Sequence, residues 1–172
     1  ILNQMDSALY YYTQAEKMAT ASKNHYLLAT VLNNKSIIFR ERGQYQSALG
    51  ELNKLTVLSL DTPLRNKQDL NLAKSYQKLG QQDSLKIYVD KVVTNADLSD
   101  DLYYKASVYS FLSELENSRN NYQKAMEYLE LRNENALAIL EQNQSGALIE
   151  AEKKYDYTYH KNQAERAKHT NR

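Results

Sequence analysis

Large apolar side chains recur along this chain at helical spacing. Leu32, Ser36 and Phe39, then Leu72, Ala73, Tyr76 and Leu79, then Tyr109, Leu112 and Ser113 each share a face. In each set a small residue sits where two helices would cross closely. A second pattern follows each of these. Ala8 and Tyr12, Ala48 and Leu52, Leu85 and Val89, and Ala125 and Leu129 are spaced four apart, and the first members stand 40, 37 and 40 residues from one another. The last three pairs each follow a turn signal five residues upstream: Gly43 in RGQY, Gly80 in LGQQ and Asn120 in RNNY. Glycine adopts positive φ at little cost and asparagine is the next best choice, so each residue marks a helix end. The repeating unit is therefore helix, tight turn, helix.

The pattern predicts helices at 4–21, 25–41, 45–60, 64–79, 82–96, 100–118, 121–142 and 146–170. The connections carry start signals. DTPL offers Asp61 or Thr62 as cap with Pro63 in the first turn, and LSDD offers Ser99 as cap with Asp100 and Asp101 beside the helix N-terminus. Residues 1–21 then form half a hairpin, 25–60, 64–96 and 100–142 form hairpins, and 143–172 form a C-terminal capping or connector helix. In that tail Leu148, Ala151, Tyr155, Thr158, Tyr159 and Asn162 make a fading stripe. Tyr155, Tyr157 and Tyr159 alternate as in a strand, but their flanks favour a helix. The opening ILNQMDSALYYY has no initiator methionine and reads as the inside of a helix, so a fragment of a longer protein is expected.

These large, small and aromatic positions resemble the tetratricopeptide repeat, a helical hairpin of about 34 residues. The likeness is good over 29–60, fair over 66–96 and weaker over 106–132, where Glu116 stands in an aromatic place; Leu85 replaces the usual alanine. It implies an all-α, right-handed α-α superhelix, a solenoid of tandem hairpins closed by a long C-terminal helix. A narrower likeness rests on LIEAEKKYDYTYHKNQAERAK, which is similar to the tail of repeat-built sensor regions in bacterial membrane-anchored regulators. That likeness implies a membrane span beyond Arg172, a transcriptional or histidine-kinase output domain, and a periplasmic position for the repeats.

Composition narrows the function classes. Lys and Arg number 22 against 21 acidic residues, a net charge of +1, so no global field favours nucleic acid or an anionic membrane. With no cysteine there are no disulfides or thiolate metal sites, and either compartment remains open. Four glycines and one proline suit long helices rather than a turn-rich β fold. His25, His160 and His169 form no metal-ligand pair, and no nucleophile elbow or phosphate-binding glycine loop occurs, so neither an enzyme nor a cofactor is expected.

In a stack of such hairpins the first helices line the concave side. Helical spacing places Asn33, Ile37 and Arg40 there from the first hairpin, Lys67, Leu70, Lys74 and Lys78 from the second, and Ser110, Glu114 and Asn117 from the third. The lysines at 67, 74 and 78 would attract an acidic peptide or a terminal carboxylate. The expected function is protein or peptide recognition, with assembly through the terminal helices into a homo-oligomer as the alternative. Tyr10, Tyr11, Tyr103 and Tyr104 cannot all face inward, so some are expected at the surface.

Overall fold

The computed structural model describes residues 2–170. Among these there are seven α-helices and no strand: α1 (Leu2–Ala21), α2 (His25–Glu41), α3 (Tyr45–Asn53), α4 (Thr62–Leu79), α5 (Gln82–Asp97), α6 (Leu102–Ser118) and α7 (Tyr122–Thr170), with a 3-10 turn at Lys54–Val57.

The turns share one geometry. Lys23, Gly43, Gly80 and Asn120 have φ of 54°, 74°, 70° and 62°. After each, a backbone N–H reaches back five residues: Asn24 to Ala19 O at 2.9 Å, Gln44 to Phe39 O at 2.8 Å, Gln81 to Tyr76 O at 3.1 Å and Asn121 to Glu116 O at 2.9 Å. This satisfies carbonyls that a helix end leaves orphaned. Four residues on, the amides of Ala48, Leu85 and Ala125 close the first bonds of the next helices, and these three side chains are buried. The repeat seen in sequence is thus also a repeat of hydrogen bonds. Lys23 is the one such position that sequence did not flag, since a side chain there is strained by about 1–2 kcal/mol.

Asp61 caps α4 by accepting from Leu64 N at 2.9 Å. At α6 the cap is Asp101, which accepts from Tyr104 N at 3.0 Å, and not Ser99 as expected. The helix starts two residues later than predicted, and Ser99 Oγ instead accepts from Asp101 N at 3.1 Å.

Two further expectations are corrected. The segments drawn at 121–142 and 146–170 are one 49-residue helix. Gly146 costs roughly 1 kcal/mol in a helix interior but does not end a helix by itself, and nothing crowds it. The strand-like alternation at Tyr155, Tyr157 and Tyr159 therefore lies on helical backbone. The segment drawn at 45–60 ends as α-helix at Asn53, tightens through the 3-10 turn, and is extended by Leu58. Leu55 within that turn is fully buried.

Sequence neighbours pack on one another, and α2 also packs on α4 and α4 on α6. One core cluster joins Ala29 and Leu32 of α2 with Leu49 and Leu52 of α3 and Leu64 and Leu72 of α4. A second joins Leu70 and Ala73 of α4 with Leu85 and Val92 of α5 and Val108, Phe111 and Leu115 of α6. Tyr76 and Tyr88, stacked with centroids 5.4 Å apart, pack against both clusters and tie them together. Glu116, in its aromatic place, is buried and clamps the α6–α7 turn by accepting from Asn121 Nδ2 at 2.7 Å and Arg119 Nη1 at 3.1 Å. Burial pushes its carboxyl up, but Asn121, Lys124 and Arg119 outweigh this and hold it below the ordinary value.

A charged cluster fastens α1, α2 and α3. Lys35 Nζ lies 2.6 Å from Glu16 Oε2 and 3.0 Å from Glu51 Oε1, and Lys54 Nζ lies 3.1 Å from Glu16 and 2.8 Å from Glu51. At the other end α7 runs antiparallel along α6, where Asn143 Nδ2 donates to Tyr103 Oη at 3.2 Å. From there α7 continues to Thr170.

Candidate functional site

The first helices of the three hairpins, α2, α4 and α6, lie side by side and bring their polar residues together. Asn33 of α2 is buried; its amide donates to Ala29 O at 3.2 Å and its carbonyl accepts from Asn71 Nδ2 of α4 at 3.3 Å. Asn71 Oδ1 in turn accepts from Arg40 Nη1 at 3.1 Å. This chain fixes the Arg40 guanidinium in the seam between α2 and α4. Arg40 also lies 3.7 Å from Glu41. Buried groups of this kind are stable only when their hydrogen bonds are met, and here they are.

Lys74, one turn beyond Asn71, differs. It forms no ion pair with any described residue, although it is only partly exposed. Burial pushes its ammonium below the ordinary lysine value, the Arg40 charge pushes the same way, and Glu114 and Glu41 pull back. Burial likewise lowers Arg40, opposed by Glu41 and Glu114. Two cations and two carboxylates from three helices therefore feel one another, with Lys74 the cation left without a contact partner.

The other residues named from sequence are distributed around this centre. Ile37 is exposed on α2, Lys78 is exposed near the end of α4, and Ser110, Glu114 and Asn117 follow along α6, half-buried at Ser110 and exposed at the other two. Lys67 sits exposed in the second turn of α4, beside a small cavity. Leu70 is buried in the core shared with α5 and α6 and is not available to a partner. Asn71, which holds the centre together, was not named from sequence. Its spacing from Lys67, Lys74 and Lys78, four before and three and seven after, carried the signal.

The tyrosines divide as expected. Tyr10, Tyr11 and Tyr103 are exposed, whereas Tyr104 is buried. Tyr109 and Tyr128 stack at 6.3 Å between α6 and α7. Among the described residues no three of His, Cys, Asp and Glu come together as metal ligands, and no helix is long and apolar enough to cross a membrane. The side chains of His160 and His169 lie outside the described residues. No protein-family model matches the chain, and no curated protein matches it either.

Proposed function

We propose that this chain is a protein-interaction module, a tetratricopeptide-like right-handed solenoid whose α2, α4 and α6 present a groove for an acidic peptide. In this reading it is the ligand-sensing or scaffolding region of a larger bacterial signalling protein. The observation that carries the proposal is Lys74. A partly buried ammonium repelled by a neighbouring guanidinium is held at a cost, and a carboxylate from a partner supplies the missing counter-charge through a charge-assisted hydrogen bond. Lys67 and Lys78 extend the positive charge along the same helix face, while the Asn33–Asn71–Arg40 chain keeps the seam rigid.

The test uses acidic peptides rich in Asp and Glu, with and without a free C-terminal carboxylate, titrated against the protein. In the double variant Lys74→Glu, Lys78→Glu, affinity for these peptides is expected to fall by about tenfold or more, with helix content and melting temperature unchanged. Unaltered affinity would remove the groove assignment.

A second reading has its own observation. Leu137, Leu140, Leu148 and Tyr155 on α7 are 61%, 52%, 62% and 71% exposed and recur on one helix face. A second copy packing there would make the protein a structural oligomer. Sedimentation should then give a dimer that Leu140→Glu dissociates, whereas a monomer at every concentration sets this reading aside.

A further inference from the structure

A cavity of about 210 Å³ opens between the start of α4, the end of α5 and the start of α6. It lies apart from the charged seam, and Pro63, Asn66, Lys67, Asn95, Leu98 and Tyr104 are among its lining. Pro63, Leu98 and the tyrosine ring make its wall mostly carbon.

One polar group on that wall lacks what buried polar groups normally have. Tyr104 is 5% exposed, yet its hydroxyl makes no hydrogen bond. Asn95 lies beside it, but not in hydrogen-bonding geometry. Asn66 lines the same wall, and its amide makes no hydrogen bond with any described residue. An orphaned buried hydroxyl is rare in native folds, and one on a cavity wall beside an unengaged amide marks a place where something else completes it.

We infer that this cavity binds a small uncharged ring compound with an amide- or phenol-like polar edge, Tyr104 donating to its oxygen and Asn66 completing the recognition. Size sets the first limit. A cavity of about 150 Å³ holds a benzene ring, so this one holds a ring with a small substituent. Charge sets the second. Lys67 and Asp101 both stand on the lining with opposite charges, so the wall carries no net charge to hold an ion. Asp69 lies near enough to the Tyr104 hydroxyl to repel a ligand anion placed there. Burial, with Asp69 next, pushes the Tyr104 hydroxyl up to about 12, so it remains a neutral donor across the ordinary pH range.

The experiment titrates benzamide and, as a charged probe of the same size, benzoate, into the whole chain and into Tyr104→Phe, followed by protein NMR shifts and calorimetry. Benzamide is expected to bind with shifts confined to Asn66, Asn95, Leu98 and Tyr104, benzoate about tenfold more weakly, and Tyr104→Phe to lose about tenfold in benzamide affinity. Lys74→Glu, Lys78→Glu should leave benzamide binding unchanged, which separates this site from the peptide groove. Benzoate binding more tightly than benzamide would overturn the neutral class. Equal benzamide affinity in Tyr104→Phe would overturn the hydroxyl's role, and binding of neither probe, with an ordered water on Tyr104, would overturn the site.

Discussion

Replacing Lys35 by alanine is expected to lower the unfolding free energy by roughly 3 kcal/mol at neutral pH, the scale for removing one partner from a buried ion pair. The Lys35 side chain is 8% exposed and lies between Glu16 and Glu51, themselves 22% and 12% exposed. Without it two carboxylates face each other with only the half-exposed Lys54 to compensate. The pH dependence identifies the cause. Burial pushes the Glu16 carboxyl up, but the hydrogen bonds and charges of Lys35 and Lys54 outweigh it and hold the group below its ordinary value. A group depressed in the folded state stabilises above its unfolded pKa, and that contribution is lost as pH falls through the folded pKa. The variant keeps only the Lys54 share of this contribution. Urea unfolding of the two proteins should therefore show the gap narrowing below about pH 4. A gap that stays constant down to pH 3 would mean that packing of the lysine stem, not its charge, was lost.

Phe111→Ala should cost about 3–5 kcal/mol, the range for emptying an aromatic site in a packed core. Phe111 is 2% exposed and sits in the cluster that joins α4, α5 and α6. For a chain of this size the melting temperature is expected to fall by about 10 °C. Leu148→Ala on the far half of α7 is the control, because that leucine is largely exposed and its loss should stay within about 0.5 kcal/mol. A loss above about 1 kcal/mol at Leu148 would show that something covers α7 in solution, which favours the oligomer.

The helices were legible because their ends are written in local chemistry. Gly43, Gly80 and Asn120 each took the positive φ that sequence assigned them, and Ala48, Leu85 and Ala125 each took a buried place one turn beyond. Where local chemistry is weak the reading failed. Gly146 and the rise in charge after it suggested a break, yet helix formers on both sides carry the backbone through at small cost. At α6, three capping residues in succession left the start ambiguous by two positions.

The interaction face was less legible, because its outline depends on a rotation of about 100° per residue. Leu70 lies three before Ala73 and turns with it to the core, whereas Asn71 turns with Lys74. An error of one residue thus exchanges a core leucine for the amide that joins two helices. The interhelical character of Asn71 needed the position of α2, which no periodicity within α4 supplies. The same holds for the cavity, whose walls come from two separate stretches of chain, 62–67 and 95–104.

Among the described residues Asn143 is the last of α7 to meet α6 by a hydrogen bond, and 27 residues of the helix follow it, ending at Thr170. At about 1.5 Å per residue that is an arm of roughly 40 Å. Tilting the α6–α7 pair by about 10° would carry its tip through about 7 Å by this rise. A small reorientation at the α4–α6 seam, where Lys74 and Glu114 feel one another, is thereby magnified into a displacement larger than a turn of helix.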